Sequence, residues 1–161
     1  LDFQFEQIIK EYHPILFRIG RVYSSDYDFD DLYQEMLINI WKGYKNFKGD
    51  SKLSTWIYRV ALNTALTFNR DNLKHNKNEK WEHHVEIPDT HGNKELEETE
   101  RKIKRLYEAI GKLKAEQKAI ILLYLDKKSY LEISEITGLS ESNVGVIINR
   151  IKKKLFNLLS E

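Results

Sequence analysis

The chain has 161 residues, 41% of them hydrophobic and 32% charged, which suits one ordinary folded, soluble domain or two small ones. Its 26 basic and 25 acidic residues leave a net charge of +1, so the total says nothing about partners and only the distribution informs. Cysteine is absent, which excludes a disulfide framework and a thiolate metal site and fits a reducing, cytoplasmic setting.

Glycine (7) and proline (2) are scarce, and with so many charges this favours an all-helical chain. No apolar run approaches the ~20 residues of a membrane span, so no membrane insertion is expected. The opening "LDFQFEQIIKEYHPILF" is broken by charges and Pro14, unlike a secretory signal.

In chain order, Phe5, Ile8, Ile9, Tyr12, Ile15, Leu16 and Ile19 form a helix-spaced apolar stripe, with Pro14 as a kink point. Next, "SSDYDFDDLYQEMLINIWKGYKNF" gathers aspartates at a helix start, where they suit the macrodipole. Leu32, Met36, Leu37, Ile40 and Trp41 supply its buried face. "KGDSK" is a turn, and Leu53, Trp56, Ile57, Val60, Ala61 and Thr64 mark a third helix. Residues 76–100 are polar and mostly acidic, contain Pro88 and a His-Gly-Asn turn signal, and are predicted to be a flexible linker. Residues 101–161 are helical again. The expected organisation is therefore all-α: two small helical domains, 1–75 and 101–161, joined by an acidic linker.

The second domain carries the clearest local signal. Ser129 and Glu132 have capping-box spacing, so a helix starts there, with Leu131, Ile133 and Ile136 facing inward. Gly138 supplies a left-handed turn and Ser140 caps the next helix. In that helix Val144, Ile148, Ile151 and Leu155 form one buried stripe. Ser142, Asn143, Gly145, Val146, Asn149, Arg150 and Lys153 lie opposite. Helix, glycine turn and second helix match a helix-turn-helix, whose second helix reads a DNA major groove. Lysines at its end would meet phosphate and complement the helix dipole. An ordinary αα-corner with solvated lysines has the same pattern.

Both halves together resemble one family. "DFDDLYQEMLINIWKGYKNFKGDSKLSTWIYRVALNTA" resembles region 2, the promoter-melting domain, of bacterial RNA polymerase sigma factors, and the second half resembles their region 4. With no domain between, the chain resembles the two-domain extracytoplasmic-function (ECF) group.

The resemblance implies a non-enzymatic factor without cofactors that binds core RNA polymerase and promoter DNA. Asp28, Asp31, Leu32, Gln34, Glu35 and Asn39 would dock on a coiled coil of the largest-subunit clamp. On the residues alone, N-terminal capping plus a solvated face is the favoured account of that acidic cluster. Lys48, Ser51, Lys52, Trp56 and Asn63 match the part that captures a flipped base of the −10 element. Lysines there would meet phosphates, Asn63 a base edge, and Trp56 and Tyr58 could stack, although the spacing of Trp56 with Leu53 and Val60 favours core packing over stacking. Arg59 would hold the fold.

Where many relatives are arginine-rich after Asn63, this chain has only Arg70, Lys74 and Lys77. Where many carry basic residues in the reading helix, it has Gly145 and Ile147. Ser142, Asn143, Gly145, Val146, Asn149, Arg150 and Lys153 would face the −35 element, with Asn149 and Arg150 the best base readers and Val146 set to touch a thymine methyl. An anti-sigma partner commonly masks the polymerase-binding surfaces in this family, and nothing in the sequence specifies one.

The linker's ~25 residues span about 25–30 Å as a coil and ~80 Å extended. The promoter elements lie ~50 Å apart, one and a half DNA turns. His83, His84 and His91 in the linker invite a metal reading, but without cysteine or an ordered framework around them no metal is expected. Two rivals remain. An autonomous helix-turn-helix regulator would need neither the acidic helix nor the base-capture turn. A Mg²⁺-dependent nucleic-acid enzyme would need a second acidic motif, and none appears.

Overall fold

The computed structural model describes residues 3–75 and 92–161, and the side chains of all but 73–75 among them. The linker histidines and Lys77 lie outside the described residues. Those residues form seven helices and no strand. The first half is α1 (Phe3–Tyr23), α2 (Phe29–Tyr44) and α3 (Leu53–His75). Helix α1 runs through Pro14. The aspartates work as expected at the start of α2, with Asp30 and Asp31 in its first turn.

The apolar stripes of the three helices meet in a core of Leu16, Ile19, Leu32, Met36, Ile40, Ile57 and Ala61. Each large side chain hidden there contributes about 1.5–3 kcal/mol relative to exposure. Ile9, Tyr12, Leu37 and Trp41 line the margin, half-buried. Phe5 meets Trp41 edge to face at 4.7 Å at the core's margin.

The second half comprises α4 (Lys94–Gly111), α5 (Ala115–Leu125), α6 (Tyr130–Thr137) and α7 (Glu141–Leu159). Residues 94–100, expected in the linker, are helical. The Asn93 side chain accepts the Glu95 N–H at 3.1 Å, and Glu95 and Glu97 occupy the first turn. The acidity that reads as a linker is thus the charge a helix N-terminus favours. Ile110, Leu122, Leu123, Ile133, Ile148 and Ile151 fill the core of this half. Leu131, expected inside, is half-exposed because α6 is only eight residues long and buries just Ile133 and Ile136.

The halves pack on one another. Helix α1 touches α4 and α5, and α3 touches α5 and α6, whereas among the described helices α2 touches only α1 and α3. Tyr23, fully buried at the end of α1, donates its hydroxyl to the Ala115 carbonyl at the start of α5. No helix among the described residues is long and apolar enough to cross a membrane.

Candidate nucleic-acid interface

The corner between α6 and α7 is built by local chemistry. Ser129 accepts the Glu132 N–H at 3.1 Å, and the Glu132 carboxylate accepts the Ser129 N–H at 3.3 Å, a reciprocal cap. Those contacts, with Lys128 and Lys52 nearby, hold the Glu132 carboxyl below its ordinary pKa. Gly138 ends α6 at φ 79°, a left-handed conformation that a side chain resists. Ser140 then accepts the Asn143 N–H at 3.2 Å and starts α7.

The buried stripe of α7 is the one the spacing predicts: Val144, Ile148, Ile151 and Leu155. It turns Ser142, Asn143, Val146, Asn149, Arg150 and Lys153 outward. Gly145 behaves differently. A Cβ there would lie 3.2 Å from the Tyr130 ring, so the close approach it permits is taken by α6. Tyr130, not singled out from the sequence, thereby stands partly exposed beside α7. Lys152 turns its ammonium to the Tyr124 ring, 4.5 Å from the centroid, and is less free for phosphate than Lys153 and Lys154.

The turn between α2 and α3 projects Lys48 and Lys52 into solvent, with Gly49 at φ 78° and Ser51 half-buried. The Ser51 hydroxyl donates to the Lys52 carbonyl at 3.3 Å. Trp56 is not an exposed stacking platform. Its ring lies against Gly43, where a Cβ would approach to 2.6 Å, and meets Phe47 at 5.3 Å. Tyr58 is buried and donates its hydroxyl to Asp126 at 2.6 Å. Stacking by Tyr58 is therefore set aside.

Asn63 is exposed one turn beyond Arg59. It borders two hollows. One, of about 360 Å³, lies between α2 and α3 and is lined by Glu35, Asn39, Val60, Asn63, Thr64 and Thr67. The other, of about 460 Å³, lies between the two halves, with Asn63 and Arg150 among its lining residues. Arg70, the basic residue described beyond Asn63, lies 3.7 Å from Asp71.

The acidic helix divides into two groups. Asp31, Gln34 and Glu35 are exposed, one turn apart. Leu32 is fully buried and anchors α2 rather than facing a partner. The Asp28 carboxylate accepts from Ser25 at 3.0 Å and Asn72 at 3.3 Å, fixing the entry to α2. Asn39 donates its amide to Thr64 at 3.0 Å, which ties α2 to α3. Both were expected to face a partner, and both also tie α2 to its neighbours while Asn39 stays exposed and Asp28 half-buried.

Comparison with known proteins matches residues 8–74 to Sigma-70 region 2 and residues 103–155 to Sigma-70 region 4. The chain belongs to the sigma-70 family, in its ECF group. The ECF sigma-E factor of Haemophilus influenzae is 29% identical over 91% of this chain and 81% of that protein. The ECF sigma factor SigG of Mycobacterium tuberculosis is 49% identical, but the match covers only 29% of this chain and 13% of that protein. In fold, the chain is similar to the sigma factor RpoE of Bartonella quintana, solved with the anti-sigma factor NepR. That likeness has a TM-score of 0.75 at 22% identity and covers 98% of this chain and 97% of that one. Within this sigma-family chain, α1 to α3 are region 2 and the α6–α7 corner lies in region 4.

Proposed function

We propose that this chain is an alternative sigma factor that binds core RNA polymerase, directs it to promoters with −35 and −10 elements, and helps melt the −10 region. It works in the cytoplasm and performs no reaction of its own. The observation that carries this reading is the division of α2. Its buried side fastens to α1 and α3, while Asp31, Gln34 and Glu35 stand exposed on a helix that the second half leaves uncovered. Such a row of carboxylates and amide suits a basic helical surface such as the clamp coiled coil. An autonomous helix-turn-helix regulator would have no use for it.

In the DNA-reading part, Lys48 and Lys52 meet phosphates, Asn63 reads the melted base, and Asn149, Arg150 and Val146 read the −35 duplex. Arginine reads guanine and asparagine reads adenine by paired hydrogen bonds in the major groove. An anti-sigma partner suits this chain as well, given the complex in which the similar RpoE was solved. Transcription in vitro with core polymerase on a fragmented genomic library tests the reading. Transcripts that start at a shared −35/−10 pair only when the chain is added support it, and core polymerase that starts nowhere new overturns it.

A further inference from the structure

We propose that the hollow between the two halves binds a small amphipathic anion, a single-chain carboxylate of the fatty-acid type, and that this ligand competes with −35 DNA for Arg150. The competition rests on the duplex reading above, and the site itself does not.

The hollow measures about 460 Å³, within the roughly 300–1,000 Å³ of cavities that hold small molecules. Its wall is aliphatic: Leu62 and Leu66 of α3, Ile120 of α5, Ile136 of α6 and Ile147 of α7. Water inside such a wall finds few polar partners, whereas a hydrocarbon tail gains close contact on each side. Ile147 is the informative residue. The core of the second half takes the stripe Val144, Ile148, Ile151 and Leu155, and Ile147 is not in it. It is apolar and half-buried all the same, and the hollow is what it lines.

The border of the hollow is cationic. Among the described residues that line it, Arg59, Lys114 and Arg150 stand against one carboxylate, Glu116. Over the whole chain basic and acidic residues balance, 26 to 25, so this excess is local. The Arg59 guanidinium donates to the Glu135 carbonyl, with Nε at 3.0 Å, and adds its charge from a fixed place. Arg150 and Lys114 are exposed. A cationic head would meet three like charges there. A carboxylate pairs with the Arg150 fork by two parallel hydrogen bonds while its tail enters the hollow. Those are the donors that guanine would take, so ligand and base exclude each other.

Calorimetry on the full chain tests the site, with decanoate kept below its micelle concentration. One decanoate should bind per chain. Hexanoate, four methylenes shorter, should bind more than about tenfold more weakly, because each buried methylene is worth about fourfold. Decyltrimethylammonium, with a similar tail and the opposite charge, should not compete. Ile147→Glu puts a carboxylate in the wall and should abolish binding. Arg150→Gln should weaken it and keep the preference for the longer tail. Circular dichroism confirms that each variant is folded, and should Ile147→Glu not fold, Arg150→Gln and the ligand series decide. Decanoate that fails to bind, binds no better than its cationic counterpart, or binds the folded variants as it binds wild type overturns the site.

Fluorescence anisotropy tests the competition, with a duplex carrying the −35 element that the library transcription identifies. Saturating decanoate should weaken duplex binding by about fivefold or more, the lower end of what one paired base contact is worth. Ile147→Glu should bind the duplex equally with and without decanoate. Unchanged duplex binding by wild type at saturating decanoate overturns the competition. A chain that binds no −35 duplex at all means that the duplex reading has failed, and calorimetry then decides the site on its own.

Discussion

Replacing Gly43 with alanine sets two opposing effects against each other at the base of the proposed −10 reader. Gly43 lies in the last turn of α2, where alanine favours the helix by about 1 kcal/mol over glycine. Against that, the new Cβ would stand 2.6 Å from Cζ2 and 3.2 Å from Cη2 of Trp56. The indole is rigid and is backed by Phe47, so it must tilt as a whole. Overpacking of this kind costs about 1–3 kcal/mol, so the net loss should be about 1 kcal/mol. For a chain of this length that lowers the melting midpoint by about 2–4 °C.

Because Trp56 follows the Lys48–Lys52 turn by one helical turn, its displacement should also weaken open-complex formation more than −35 binding. Urea titration followed by tryptophan fluorescence measures the first effect, and permanganate footprinting the second. A Gly43→Ala chain as stable as wild type would show that the indole yields at a cost no larger than the helix gain of about 1 kcal/mol, and one that is more stable would show that it yields freely and does not fix the turn.

Asp31→Lys with Glu35→Lys should abolish co-purification with core polymerase while far-UV circular dichroism stays unchanged. Asn63→Ala should still bind core polymerase but open duplex promoters poorly, with a loss of about 1–3 kcal/mol in base discrimination that a pre-melted bubble only partly repairs. Neutralising Lys153 or Lys154 should each flatten the log–log salt dependence of duplex binding by about 0.9, and Lys152, turned to Tyr124, by less. Alkaline pH should loosen the fold. Burial raises the hydroxyl pKa of Tyr23, and burial and then the Asp126 carboxylate raise that of Tyr58. Above the ordinary value near 10 the unfolded chain sheds those protons while the folded chain keeps them, so stability falls as pH rises. Tyr23→Phe should shallow that fall in urea midpoints taken from pH 9 to 11.

What the sequence showed well was whatever depends on neighbours three or four residues away. The stripe Val144–Ile148–Ile151–Leu155, the Ser129–Glu132 cap and the turn at Gly138 were legible because each is set by local geometry. The start of α4 was not, because glutamates serve a helix N-terminus and a solvated linker equally well. Leu32 and Asn39 show a second limit. Residues one helical turn apart share a face, but only the packing of α3 decides that Leu32 is fully buried and that the Asn39 amide goes to Thr64. Asp126 carried no local signal at all, since its partners Arg18 and Tyr58 lie 108 and 68 residues away.

The ring of Tyr130 over Gly145 ties two positions on different helices to one another. A Cβ at 145 would stand 3.2 Å from the Tyr130 ring, so any side chain there asks the tyrosine to give way by a few tenths of an ångström. A smaller residue at 130 without a longer one at 145 would leave a dent between the helices. Each position thus limits what the other can hold, so the proposed reading through 146, 149 and 150 can change without moving α6, whereas one through 145 cannot.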